Sequence, residues 1–289
     1  MTTELSALER YQVQRQAFFR DAGSGAPHNL ERYFWYHVID LGNGLVTPGQ
    51  YDYRDTIHDF RFPENLAGKS VLDIGSATGF FAFEFERRGA DVTSVELPSL
   101  YELDRFPGQD VETNIRKIQR MMFPRRSGPL SEYQPEFSPE ELYFFLLEGP
   151  FRFCADRLKS RVRRVYSSIY DLTLSLLDRT DGFDLVFLGD VLLHTLRPFD
   201  ALAAIAPLAK GTLVIAQEMP EDGDISGMIY RGGEDPEEDD VCWWMPTKRC
   251  FVQLLRKFGF QSVQEVGKHR GVVMPVEHPF ERTILHACR

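Results

Sequence analysis

SVLDIGSATGF, residues 70–80, is the stretch on which the reading of the whole chain turns. Val71, Leu72 and Ile74 form an apolar run suited to a strand covered on both faces, and Asp73 interrupts it just before a turn. Gly75 and Gly79 bound that turn, where glycine lets the backbone bend tightly and approach a ligand closely. A pyrophosphate-binding turn of the G-x-G-x-x-G type needs a glycine in its middle. Ser76 and Ala77 stand there instead, which argues against a nicotinamide dinucleotide.

Working outward, Phe80 to Arg88 reads as a helix stopped by Gly89. DVTSVEL, residues 91–97, is the next strand, with Glu96 at its carboxyl end. In an open α/β sheet an acid about twenty residues past the turn takes the two hydroxyls of a ribose, because an ionised carboxylate accepts from both at once. Val162 to Ile169 is expected as a third strand, closing in Ile169, Tyr170 and Asp171. GFDLVFLGDVLLH, residues 182–194, is a fourth, ending at Gly189 and Asp190 with a helix behind it, so that Asp190 and His194 share an edge with Asp73 and Glu96. Phe199 to Leu208 reads as a helix and GTLVIAQE as the fifth strand, with Glu218 at its end. Lys248 to Phe258 is helical, QSVQEVG a sixth strand and ERTILHACR the last. The expectation is an α/β fold: a Rossmann-like, mostly parallel seven-stranded sheet, its last strand antiparallel, flanked by helices.

Three segments stand outside this frame. Residues 3–20 space apolar side chains as a helix would, and Arg32 to Tyr53 is rich in aromatics with Gly-Asn-Gly and Pro-Gly turn signals. Tyr36, His37, Tyr51 and Tyr53 are the polar groups that such an apolar pocket wall could present to a substrate. Residues 1–65 are therefore expected as an N-terminal lid or substrate segment, and 66–289 as the cofactor domain. About 99–160 is an inserted helical subdomain, too long for a plain connection, with helices at Val111 to Met122 and Pro139 to Leu147. Arg116, Lys117, Arg120, Arg125, Arg126, Arg161, Arg163 and Arg164 read as a solvated basic face or as a patch steering an anionic substrate. Met219 to Pro246 carries an acidic run and then Trp243 and Trp244, a pair suited to core or to a lid over substrate.

The chain has 289 residues, 43% hydrophobic and 26% charged, as an ordinary globular protein does. No apolar run approaches membrane-spanning length and the polar start lacks a secretory signal, so a cytoplasmic protein is expected, with no membrane partner. Four scattered cysteines suggest neither disulfides nor a zinc site. A formal charge of −10 weakens any nucleic-acid substrate without excluding a local basic groove.

VLDIGSATGF, the acid of SVEL, SSIYDL and FDLVFLGDVLLHTLRP, in that order, resemble the motifs of class I S-adenosylmethionine (SAM) methyltransferases. More narrowly, VLLHTLRP, YHVIDLGNGLVTPG and WWMPTKRCFVQLLRKFGF resemble the branch containing the bacterial transferase that modifies the tRNA wobble uridine with carboxy-SAM, together with its uncharacterised relatives. The resemblance implies cofactor contacts at Asp73, Gly75, Ser76, Gly79, Glu96, Ile169, Tyr170, Asp171 and Gly189. Its cofactor carries no phosphate, so Asp73 can approach the ammonium group. The branch's tyrosine for the extra carboxylate is replaced by Leu193, although Arg282 matches an arginine near its C-terminus. Ordinary SAM is expected rather than carboxy-SAM, since a carboxylate beside leucine loses a charge-assisted partner.

The resemblance implies a SAM-dependent methyltransferase without specifying its substrate; the acidic charge and the aromatic front segment favour transfer to an oxygen or nitrogen of a small molecule, with a tRNA wobble-uridine methyl or carboxymethyl transferase as the alternative. His194, near neutral pKa when unperturbed, is the first choice for a catalytic base and Asp190 the second. Tyr36, His37, Tyr51, Glu218, Trp243 and Trp244 are the substrate-side candidates, and no metal is expected.

Overall fold

A computed structural model describes residues 5–22, 30–122, 137–220, 225–234 and 241–289. Arg125, Arg126 and all but Glu234 of the acidic run lie outside the described residues. Nine described strands are β1 (Ser70–Ile74), β2 (Asp91–Glu96), β3 (Arg163–Tyr166), β4 (Phe183–Gly189), β5 (Ala209–Gln217), β6 (Met228–Tyr230), β7 (Trp244–Pro246), β8 (Ser262–Val273) and β9 (His278–Cys288). Seven form one sheet in the order β3-β2-β1-β4-β5-β9-β8, with β1 to β5 parallel and β9 antiparallel to both neighbours. The order reverses between β1 and β4, and the crevice at such a switch point is where open α/β sheets hold ligands. β6 and β7 pair separately, as a hairpin within the long segment after β5.

Helices cover both faces, so β1 is buried along its whole length. Val71 faces an aromatic-rich core with α2 (Phe80–Arg87) and α5 (Gly149–Leu158), while Leu72 and Ile74 face an aliphatic core with α6 (Pro198–Ile205) and α7 (Lys248–Lys257). α1 (Ala7–Asp21) starts at Ser6, whose hydroxyl accepts from the Glu9 N–H while the Glu9 carboxylate accepts from the Ser6 N–H. Its Phe18 enters the aromatic core beside Trp35 and Phe153. Residues 30–66 contribute Tyr33, Phe34, Trp35, Tyr53, Phe60 and Phe62 to that same core.

The insertion holds α3 (Val111–Met122) and α4 (Pro139–Tyr143). Where the spacing predicts a helix ending at Leu147, the chain instead runs through a π-turn at Phe144–Glu148 directly into α5. Pro150 does not stop it, because proline is tolerated in a first helical turn. Two further expectations shift. The third strand ends at Tyr166, and Ile169–Asp171 is a single 3₁₀ turn whose Ser168 hydroxyl accepts from the Tyr170 N–H. Behind Asp190 comes a 3₁₀ turn, Leu192–His194, and the helix begins only at Pro198. No described helix is long and apolar enough to cross a membrane.

Candidate active site

Leaving β1, the backbone enters left-handed conformations at Gly75 (φ 71°), Ala77 (φ 47°) and Gly79 (φ 95°). A Cβ on Gly75 would lie 2.5 Å from a methyl of Val191, and one on Gly79 would lie 2.6 Å from the Phe83 ring and 2.7 Å from that of Phe151. The two glycines therefore do different things. Gly75 admits the loop after β4 beside the turn, whereas Gly79 lets α2 pack on α5 and does not line the cavity. Ala77, a non-glycine residue at positive φ, is held from outside: its N–H donates to Glu96 Oε2 at 2.9 Å.

A cavity of about 280 Å³ opens where these strand ends meet. Asp73, Gly75, Ser76 and Glu96 line one side, and Ser168, Ile169 and Tyr170 another. Gly189, Asp190, His194 and Arg282 stand at the β4 end, and Tyr36, His37 and Tyr53 face them from the N-terminal segment. Asp73 is fully buried, and that burial, reinforced by the nearby Glu96 charge, raises its pKa to about 7. Its Oδ2 has no hydrogen-bond partner. Glu96 accepts through Oε2 from Ala77 and through Oε1 from its neighbour Leu97 at 3.0 Å.

Tyr170 is tied down by a residue that the sequence did not single out. Its phenol donates to the Asp104 carboxylate, which also accepts from the Leu196 N–H at 2.6 Å. The Arg197 guanidinium lies 4.1 Å from the Tyr170 ring centroid. Asp104 thus fastens the start of the insertion over the cavity, and nothing in LYELDRF marks it beforehand. Asp171, by contrast, is exposed and off the cavity wall, because the 3₁₀ turn swings it outward.

Asp190 adopts φ 51°, a costly conformation for a residue with a Cβ. Arg282 from β9 holds it, Nε to Oδ2 at 2.6 Å, and Oδ1 stays unpartnered. Burial raises the Asp190 pKa against the opposing pull of Arg282. The His194 Nδ1 lies 2.7 Å from the Val241 carbonyl, which makes Nδ1 the protonated nitrogen and leaves Nε2 with the lone pair. His194 keeps an exposed edge at the cavity mouth, yet the protein packed round the ring holds its pKa below the ordinary histidine value. His37 is different. It is enclosed, with Nδ1 3.1 Å from the Thr78 hydroxyl, and burial drives its pKa down to about 3.

The remaining substrate-side residues do not gather in this cavity. Tyr51 and Glu218 line a second, polar cavity that shares only Arg282 with the first. Trp243 and Trp244 line neither. The Trp243 ring packs 5.2 Å from that of Phe106, and the Trp244 indole N–H donates to the Leu196 carbonyl at 3.2 Å, so the pair pins the β6–β7 hairpin to the insertion and to the loop after β4. The basic face is also redistributed: Arg116 lies 3.7 Å from Asp110, and the Arg164 side chain turns inward to 6% exposure. Ser94, opposite Arg164 on β2 and completely buried, leaves the space that this long side chain fills, and no local pattern in the sequence marks it. Among the described residues no cluster suited to a metal ion occurs.

The profile of a family described as a methyltransferase domain matches residues 48–265. No curated protein matches the chain. Among solved structures, magnesium protoporphyrin IX methyltransferase from Synechocystis PCC 6803 with bound SAM is similar at 13% identity and a TM-score of 0.46, with 100% of both chains covered. The 1,6-didemethyltoxoflavin-N1-methyltransferase of Burkholderia thailandensis, bound to 1,6-didemethyltoxoflavin and S-adenosylhomocysteine, is similar at 16% identity and a TM-score of 0.44, with 100% of this chain and 93% of that chain covered.

Proposed function

This chain belongs to the family of methyltransferase domains, and from that premise we propose that it transfers a methyl group from SAM to an oxygen or nitrogen of a small molecule. The observation that carries the proposal is one cavity with two carboxylates at the ends of adjacent strands: Asp73, with an unpaired buried oxygen, and Glu96, nineteen residues beyond Ala77 in sequence and bonded to its N–H. These groups fit the cofactor at two separate points. Asp73 takes the ammonium of the methionine end, and Glu96 takes the ribose hydroxyls on the acceptor capacity that its two backbone N–H partners leave free. Ile169 and Tyr170 flank the adenine, and the Gly75 backbone lines the wall beside the methionine end.

When bound, SAM supplies a methyl on a sulfonium that an in-line nucleophile displaces. The chain's own part is to align that nucleophile and exclude water, an effect worth roughly 7–11 kcal/mol of barrier. Tyr36, Tyr53 and Phe60 give the acceptor a largely apolar wall. The acceptor's proton passes to His194 Nε2, with the unpaired Asp190 oxygen orienting the donor O–H or N–H. Arg282 is already paired with Asp190, which favours ordinary SAM over carboxy-SAM.

The mass of the ligand that copurifies with the protein, followed by calorimetric titration with SAM, tests this reading. SAM or S-adenosylhomocysteine supports it. A carboxylated analogue, joined by tRNA retention that falls steeply with salt, would replace it with the wobble-uridine alternative.

A further inference from the structure

Arg164, on the edge strand β3, does not line the cavity, yet it touches Ser76 and Ala77 of the turn that forms one cavity wall. Its Nη1 donates to Ser76 Oγ at 2.9 Å, and its Nη2 donates to the Ala77 carbonyl at 3.2 Å and lies 3.9 Å from Glu96 Oε2. On the other side the guanidinium sits 3.9 Å above the Phe151 ring, and Nε stands 3.2 Å from Glu148 Oε2 without hydrogen-bond alignment. Glu148 is itself buried, and its Oε1 accepts from Arg152 Nε and from the Tyr166 phenol, both at 2.6 Å.

Ala77 explains why this arrangement is needed. A left-handed alanine persists only where the surroundings over-determine it. Here one partner grips each end of the residue: Glu96 its N–H, and Arg164 its carbonyl. The same guanidinium places positive charge between Glu96 and Glu148, two buried acids of which only Glu148 has a second cation, Arg152, beside it. Nη1 also donates to the Ser94 hydroxyl at 3.4 Å, and a planar fork suits two hydroxyls, a carbonyl and a carboxylate at once.

We propose that Arg164 is a positioning residue for the cofactor, fixing Ala77 and Glu96 in the geometry that receives the ribose and making Glu148 and Phe151 of the insertion part of that support. The inference rests on the reading of Glu96 as the ribose acid.

The test is calorimetric titration of the full chain with SAM and with adenosine, which has the ribose but no methionine, for wild type, Arg164→Lys, Glu96→Ala and the double variant. Arg164→Lys should weaken both ligands by a common factor, roughly 10- to 100-fold, the range of one hydrogen bond to a charged group. In the Glu96→Ala background the same change should cost much less, because the group being positioned is gone. A purely structural role would lower the melting temperature and leave that non-additivity absent, and additive losses or unchanged affinity overturn the proposal. If Arg164→Lys fails to fold, Glu148→Gln keeps the arginine and releases its far side. That variant should still weaken adenosine several-fold, and wild-type affinity in it overturns the proposal. A wild-type chain that binds adenosine but not SAM removes the transferase reading while leaving Arg164 testable on adenosine. One that binds neither removes both.

Discussion

Replacing Gly75 by alanine separates two costs that usually arrive together. Gly68 and Gly75 have nearly the same backbone angle, φ 73° and 71°, but a Cβ on Gly68 meets nothing within 4 Å, whereas one on Gly75 comes 2.5 Å from a Val191 methyl. The left-handed backbone alone costs an alanine roughly 1–2 kcal/mol, and this applies equally to both sites. Overpacking adds roughly 1–3 kcal/mol at Gly75 only. Urea denaturation of Gly68→Ala and Gly75→Ala should therefore differ by about 1–3 kcal/mol, and Val191→Ala should restore most of the difference when combined with Gly75→Ala. Because Val191 follows Asp190 and lines the cavity, Gly75→Ala should also weaken SAM binding while Gly68→Ala does not. Equal destabilisation of the two variants, or no rescue by Val191→Ala, would refute the claim that Gly75 exists to admit the loop after β4.

Other consequences concern pH and turnover. Asp73, with a pKa raised to about 7, must lose its proton to pair with the cofactor ammonium, so SAM affinity should fall as pH drops below about 7, by at most about tenfold per unit. Asp73→Asn should bind SAM weakly with a flat profile over the same range, and calorimetry showing parallel profiles would count against the pairing. His37, with a folded pKa of about 3 against an ordinary 6.5, contributes stability that is complete above about pH 6.5 and is lost as pH falls toward 3. The slope is at most about 1.4 kcal/mol per unit, and His37→Gln should lack it in denaturation at pH 7.5 and 5.5. Asp73 pulls the opposite way over part of that window, so the difference between wild type and variant is the quantity to read. His194→Ala should lower kcat by roughly 10²–10⁴ with SAM affinity kept, and undiminished turnover would assign the ring to packing alone.

How much of this was legible beforehand follows the range of the interactions. The glycine turn, β1, β2, β4, α3 and α7 are written in local patterns, and those segments match the structure closely. Long-range pairing is not. Arg164 lies in a run of arginines that looks like a surface, and only Ser76 and Ser94, brought beneath it by the sheet, make room for it. Asp104 gains its place by closing onto Tyr170 and Leu196, each more than 60 residues away in sequence. Asp171 and Gly79 carry the right residue types, but one turn of backbone moves the first outward and helix packing claims the second. The acidic end of β5 fared likewise, since Glu218 faces a different cavity from the acids of β1 and β2.

The pairing of Asp190 with Arg282 spans 92 residues, because β9 inserts between β5 and β8. At roughly 5–20 residues per second on the ribosome, about 5–18 s separate the synthesis of the acid from that of its partner. Through that interval the first five strands can pair, but the exposed edge of β5 has no neighbour and Asp190 has no counter-charge. The Asp190 backbone is held earlier, by its N–H on the Ala216 carbonyl of β5, but its carboxylate gains its cation only when the antiparallel strand closes the sheet.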